Sequence, residues 1–168
     1  MAAFIAAIVT CYFFSSLNQW LMLLTGHLSA TLVVFISSQI FKNSSLYDPF
    51  WSVAPLPIAI YISIYPESGE IDLEKIFLVN LPIIFWSIRL TSNWARDWRG
   101  LSDEDFRYVN LKSKPFSFFI DLFGIHIYPT LQVNLSLVPI YFALSISCLL
   151  YTSPSPRDDI SSRMPSSA

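Results

Sequence analysis

The chain has 168 residues, 54% hydrophobic, 16% aromatic and only 13% charged, with a mean hydropathy of +0.52, a composition that excludes disordered and most soluble classes and points to a membrane protein. Ten Lys and Arg against twelve Asp and Glu give a net charge of -2, so there is no basic field to hold a nucleic-acid backbone and nucleic acid is excluded as a partner. Cys11 and Cys148 stand far apart in apolar sequence and fit neither a disulfide framework nor a metal site with paired ligand spacing.

Met1 to Phe41 carries no charged side chain. As one helix it would reach about 60 Å, roughly twice a hydrocarbon core of about 30 Å. Two spans therefore fit, Ala3 to Leu24 and Leu28 to Phe41, broken at Thr25-Gly26-His27. A secretory signal peptide ending near Ala30 fits less well, because it would lack a basic leader and its apolar stretch would be too long. A third apolar block, Trp51 to Tyr65, carries Pro55 and Pro57, and a fourth, Ile76 to Trp94, carries Asn80 and Pro82. The fifth, Phe116 to Ser147, is interrupted by Asp121, by Gly124-Ile125-His126 and by Pro129. It reads as a broken or re-entrant helix followed by a further span. The expected fold class is all-α, a polytopic transmembrane helical bundle of about five to six membrane segments with one of them broken.

Loop charge sets the expected orientation. Lys42 follows the second span, Pro66 to Lys75 is acidic, and Arg89, Arg96, Arg99, Arg107, Lys112 and Lys114 accompany the end of the fourth. The positive-inside rule places the Lys42 loop and the Arg96 to Lys114 loop on the cytoplasmic side, together with the N-terminus. The sequons at Asn43-Ser44-Ser45 and Asn134-Leu135-Ser136 then face the wrong compartment or lie in apolar sequence, and neither is expected to carry sugar.

From Cys148 the composition changes to Ser, Pro and Arg. Cys148 to Asp158 matches, residue for residue, the translation of a transposase-type sequencing adaptor. Three residues encoded by a variable index follow, and then Ser162 to Ala168 matches the adaptor's continuation. The expectation is that native sequence occupies residues 1–147, the N-terminal part of a longer membrane-embedded domain, and that 148–168 is not native.

Two polar clusters stand out. In Asn43 to Ser52, Asp48 precedes a proline and suits the cap of the following span, while Tyr47, Phe50 and Trp51 fit an interfacial aromatic belt. A ligand-facing Asp48 is the alternative. In Arg89 to Tyr108, Arg89, Asn93 and Asp97 share one helix face, with Arg96 beside them and Trp94 and Trp98 on an adjacent stripe. Such a line either binds an anionic ligand such as a cofactor phosphate or satisfies itself as a salt-bridge network. Ser102 to Asp105 ahead of Phe106 reads as a helix start. Asp121 and His126 are ionisable groups in apolar sequence and so candidate functional residues, against the alternative of a histidine satisfied by backbone. His27, at the expected break, carries no signal of its own. No metal-ligand spacing, phosphate loop or nucleophile elbow is present, and no catalytic residue can be assigned.

SLYDPFWSVAP (Ser45 to Pro55), RLTSNWARDWRGLSDEDFRYV (Arg89 to Val109) and LFGIHIYPTLQV (Leu122 to Val133) resemble an uncharacterised multi-pass membrane family, a domain of unknown function. That family is grouped with the steroid 5-alpha-reductase C-terminal domain and the isoprenylcysteine methyltransferases. The resemblance implies NADPH-dependent reduction of a lipid or steroid double bond, a lipid or sterol-like substrate, and a site in the endoplasmic reticulum of a eukaryote or otherwise in an inner membrane. The relatives' Arg-His-Pro-Asn-Tyr-like cofactor stretch has no counterpart here, so no catalytic residue carries over. Arg89, Asn93, Asp97 and Arg99 would shape the cofactor entrance. Methyl transfer from S-adenosylmethionine, or a non-enzymatic scaffold or lipid-binding role, are the alternatives.

Overall fold

A computed structural model describes residues 1–69 and 71–145. The adaptor-like tail lies outside them. Among the described residues the chain is all-helical: α1 (Ala2–Phe13), α2 (Gln19–Phe41), a 3-10 turn (Ser44–Leu46), α3 (Tyr47–Val53), α4 (Pro55–Ile64), α5 (Leu73–Asp97), α6 (Phe106–Lys112), α7 (Ser117–Phe119), a π-wound stretch (Ile120–Ile127) and α8 (Tyr128–Ser145). Two helices are long and apolar enough to cross a membrane, Gln19–Phe41 and the continuous Ser117–Leu144.

The first break falls earlier than the sequence suggested. Asn18, rather than Gly26, starts the second helix, because its side chain accepts a 2.8 Å hydrogen bond from the Leu21 amide and satisfies an exposed helix N-terminus. Thr25, Gly26 and His27 are wound into α2, and Thr25 returns its hydroxyl to the Met22 carbonyl at 2.8 Å. Gly26 is where α1 folds back on α2: a β-carbon there would lie 2.4 Å from Cys11 Sγ and 3.2 Å from the Ala7 carbonyl oxygen. The glycine is therefore a contact point, and its lack of a side chain admits the neighbouring helix.

The fifth region is likewise continuous rather than broken or re-entrant. Asp121, Gly124 and His126 sit in the π-wound stretch, so the irregular sequence widens the helical turn without ending the helix. The third block is a near-continuous helix jointed at Ala54, where Pro55 opens α4.

Two antiparallel seams organise the bundle. Along α2 and the Ser117–Ser145 helix, Gln39 meets Asp121, Ser38 meets His126, Thr31 meets Thr130, His27 meets Asn134 and Trp20 meets Tyr141. Along α3–α4 and α5, Ser52 meets Thr91 and Ser87, and Ser63 meets Asn80. Met22, Leu23, Ile58, Ile62, Val133, Leu137 and Leu144 form the apolar core where α2, α4 and α8 converge. Buried positions are otherwise rich in Ser, Thr, Asn and His, while Ile8 (68% exposed), Ile40 (70%), Phe85 (69%) and Leu135 (69%) face outward, the inverse of a water-soluble surface.

Replacing Gly26 by Ala should destabilise the protein by about 1–3 kcal/mol through overpacking against α1. Combining it with Cys11→Ala should recover part of that loss, because the side-chain clash is removed and the Ala7 carbonyl contact stays. Thermal unfolding of the two variants in detergent checks this, and an unchanged G26A would contradict the close α1–α2 approach.

Candidate functional site

The polar half of the bundle begins where α2 ends. Lys42 adopts a left-handed conformation (φ 52°), and the Asn43 amide donates to the Ser38 carbonyl at 3.0 Å, a C-terminal cap of the kind glycine usually provides. This turn sends Asn43-Ser44-Ser45 under the loop that follows α5. Asn43 Nδ2 donates to the carbonyls of Leu101 and Asp103, both at 3.0 Å, and Asn43 Oδ1 accepts from the Ser45 amide at 2.9 Å. The Ser44 amide donates to Glu104 Oε1 at 2.7 Å, and the Asp105 amide donates to Ser45 Oγ at 2.9 Å. Three consecutive polar residues are thus consumed in docking one loop on another. Asn43 is 1% exposed, and Asn134 is equally enclosed, its amide donating to the Thr130 carbonyl.

Asp121 lies beneath this junction. Its carboxylate accepts from Gln39 Nε2 at 2.6 Å and from Ser44 Oγ at 2.8 Å, and stands 3.3 Å from His126 Nδ1. Lys112 completes the group by donating to Ser44 Oγ at 3.1 Å and pairing with Glu104. His126 Nδ1 is 2.9 Å from the Asp121 carbonyl, which can only accept, so that nitrogen carries a proton. The His126 ring packs against Tyr47 and Phe35, and Tyr47 reaches past it to share a 2.7 Å hydrogen bond with Thr130. A cavity of about 250 Å³ opens beside the group, between Gln39, Lys42, Lys112 and Asp121.

Of the residues singled out in sequence, Asp121 and His126 are therefore brought together and enclosed. Asp48 is not the cap of its helix. It lies in the first turn of α3 and accepts from the Tyr108 hydroxyl, joining the two polar clusters. Burial pushes its carboxyl above the ordinary value, against the opposing pull of Tyr108 and Arg107, and the Tyr108 hydroxyl is raised by burial and by the nearby Asp48 charge. Asp105 caps α6 by accepting from the Arg107 amide at 2.8 Å, and the Arg107 side chain holds its carboxyl below the usual range.

Arg89, Asn93 and Asp97 do share α5, but they do not form the self-satisfied network that was the alternative to ligand binding. Asn93 accepts from Arg96 alone, and Arg89 and Asp97 are exposed with no ion pair among the described residues. Arg99 lies past the helix end, which Trp98 turns away in an extended conformation, and is also exposed. Trp94 and Trp98 pack in a tilted pair with ring centroids 4.9 Å apart. An apolar groove of about 670 Å³ runs between α3–α4, α5 and α8, walled by Trp51, Trp86, Pro82, Pro129 and Gln132. That volume is of the order of a small-molecule site, roughly 300–1,000 Å³.

His27 is what sequence reasoning missed. It is 5% exposed inside α2 and hydrogen-bonded to Asn134 at 2.7 Å. The findable signal was Asn134, a second polar residue in apolar sequence, whose antiparallel register with His27 is set once Asp121 pairs with Gln39.

Because the Asp105 pKa is lowered on folding, its contribution is present above the unfolded carboxylate value and is lost as pH falls through the lowered one. Asp105→Ala should therefore lower stability by about 1 kcal/mol at pH 7 through the lost cap and ion pair. The difference from the parent should shrink as pH falls below about 4. Thermal unfolding across pH tests both the size and the sign.

No curated protein matches the chain, and no solved structure does. A family model described as a protein of unknown function, DUF1295, matches residues 34–150, which is well over half of the chain and includes both polar clusters and most of the two seams. The chain belongs to the DUF1295 family of proteins of unknown function.

Proposed function

We propose that the chain is the membrane-embedded N-terminal part of a multi-pass protein related to the steroid 5-alpha-reductase and isoprenylcysteine methyltransferase group. The activity proposed is reduction of a conjugated lipid or steroid double bond with NADPH. The observation that carries this reading is the meeting of the three resembling segments. Ser45 bonds the Asp105 amide, Asp48 bonds Tyr108, Ser52 bonds Thr91 and Tyr47 bonds Thr130, so the segments form one unit rather than three separate likenesses.

The outward apolar faces and inward polar seams favour a lipid solvent, since polar groups in a hydrocarbon layer must find partners inside the protein. The Lys42 turn and the loop following α5 are hydrogen-bonded at one end of the helices, as loops on the cytoplasmic side would be. Gln19 donates to the Tyr65 carbonyl at 2.5 Å, joining the start of α2 to the end of α4.

The guanidiniums of Arg89 and Arg99, exposed and without an ion pair among the described residues, fit phosphate oxygens, and Asn93 and Asp97 on the same stretch can bond sugar hydroxyls. When bound, NADPH would supply a hydride to one alkene carbon while a proton reaches the other. These side chains would anchor the cofactor on the water side, and the groove of about 670 Å³ between Trp51, Trp86 and Pro129 would take the apolar substrate from the membrane.

Binding measured on protein expressed from the complete transcript, reread past the codon for Ser147, tests the assignment. NADPH should bind and S-adenosylmethionine should not. The reverse result would favour methyl transfer, and binding of neither would leave the scaffold reading. Asp97→Ala should weaken NADPH binding about tenfold while shifting stability by no more than about 0.5 kcal/mol, as for an exposed residue without partners. Loss of folding or membrane insertion in that variant would instead make Asp97 structural.

A further inference from the structure

A second cavity, partly open like the groove, lies at the other side of α2. It has a volume of about 330 Å³, sits between α1, α2 and the α3–α4 helix, and is walled by Phe4, Cys11, Met22, Ala30, Phe50 and Ile58. His27 also lines it, as the one histidine in an otherwise apolar wall broken only by Cys11 and Tyr61. Most of this wall belongs to residues before position 34 and so lies outside the stretch that defines the family.

The hydrogen bonding of His27 fixes what it can offer. Asn134 Nδ2 points one hydrogen at the Thr130 carbonyl, at 2.8 Å, which fixes the amide's orientation because a carbonyl only accepts. The other hydrogen goes to His27 Nδ1 at 2.7 Å, so Nδ1 is an acceptor and the neutral ring carries its proton on Nε2. Nε2 is turned away from Asn134 across the ring, is buried and has no hydrogen-bond partner among the described residues. His27 stands eight residues into α2, about 12 Å from its start. If that helix crosses the membrane, as proposed above, the donor lies inside the hydrocarbon layer, below the reach of water and lipid headgroups. A buried donor left unpaired there is unfavourable, and an acceptor has to come from a molecule already dissolved among the chains.

We propose that this cavity binds one membrane-dissolved lipid chain bearing a carbonyl oxygen, which accepts a hydrogen bond from His27 Nε2. A carbonyl fits better than a hydroxyl because it adds no donor that would need an acceptor of its own in an apolar wall. The volume, near the lower end of ligand sites, suits a single chain rather than a whole phospholipid. Nε2 is buried, so a neighbouring side chain must give slightly on binding; Phe50 shares the cavity wall and packs with its ring centroid 5.5 Å from that of His27. The proposal rests on the membrane reading of α2 but not on the reductase chemistry.

The test uses the whole protein in lipid nanodiscs and two photoreactive probes, a twelve-carbon ketone carrying a diazirine and the same chain with methylene in place of the carbonyl. The ketone should label peptides from α1, α2 and α3–α4 about fivefold more than its hydrocarbon twin. His27→Leu should abolish that preference, and His27→Gln, which keeps a donor at similar reach, should retain most of it. Equal labelling by the two probes in the unmodified protein, or a preference that survives in a folded H27L, would overturn the proposal. The probe comparison needs no variant, so it decides the matter even if H27L fails to fold. Carbonate extraction of the unmodified protein reports separately on the membrane reading. Extraction as a soluble protein would overturn that reading and this proposal with it, whereas retention with equal labelling would overturn this proposal alone.

Discussion

The antiparallel pairing of α2 with the long helix from Ser117 to Ser145 is the interaction on which the other elements depend. It runs from Gln39–Asp121 at one end to Trp20–Tyr141 at the other, with Thr31 and Thr130 sharing a 2.8 Å hydrogen bond near its middle. For two apolar helices in lipid, the setting proposed for this pair, there would be no hydrophobic drive to associate, so packing and interhelical hydrogen bonds would hold them together. Whichever of the two hydroxyls does not donate across the seam can donate to the carbonyl four residues earlier, at 2.9 Å for Thr31 and 2.8 Å for Thr130. The seam therefore satisfies its polar groups locally as well as across the interface. Slipping one helix against the other by a turn would strand several of these groups at once.

The seam also explains why the polar junction is built where it is. Asp121 enters the α2 end already paired with Gln39, and its remaining oxygen captures Ser44, which fixes the turn at Lys42 and Asn43. Asn43, Ser44 and Ser45 then gather the loop 101–105, and through it Lys112 and Tyr108. A carboxylate removed from water is tolerable only with such a set of donors around it. The same donors enclose Asp121 and His126, while Arg89, Asp97 and Arg99 stay exposed along and just past the second half of α5.

Several features were legible in the residues themselves because they depend on local chemistry. Asp121 and His126 stood out as ionisable groups in apolar sequence, and they do lie side by side. The face shared by Arg89, Asn93 and Asp97 followed from helical spacing alone, and α5 does continue to Asp97. Misreadings came where tertiary contact decides local conformation. Glycine and a polar pair at Thr25-Gly26-His27 suggest a break, yet the absent side chain of Gly26 is what lets α1 approach. The interruptions at Asp121, Gly124 and His126 suggest a broken or re-entrant helix followed by a further span, yet they form a π-wound stretch because the side chains find partners on α2 and the junction.

Composition by itself determined the class: an uncharged run of 41 residues and a mean hydropathy of +0.52 belong to an apolar helical protein, since burial scales with apolar surface whatever the topology. What only the tertiary structure decided is which polar groups are used up and which are left over. Asn43, Asp48 and Asp121 find partners some 60 to 82 residues away, whereas His27 Nε2 is left a donor without an acceptor among the described residues. A hydrogen bond is short-ranged and directional, so whether a given side chain is satisfied depends on helix register in three dimensions, which residue order along a chain does not specify.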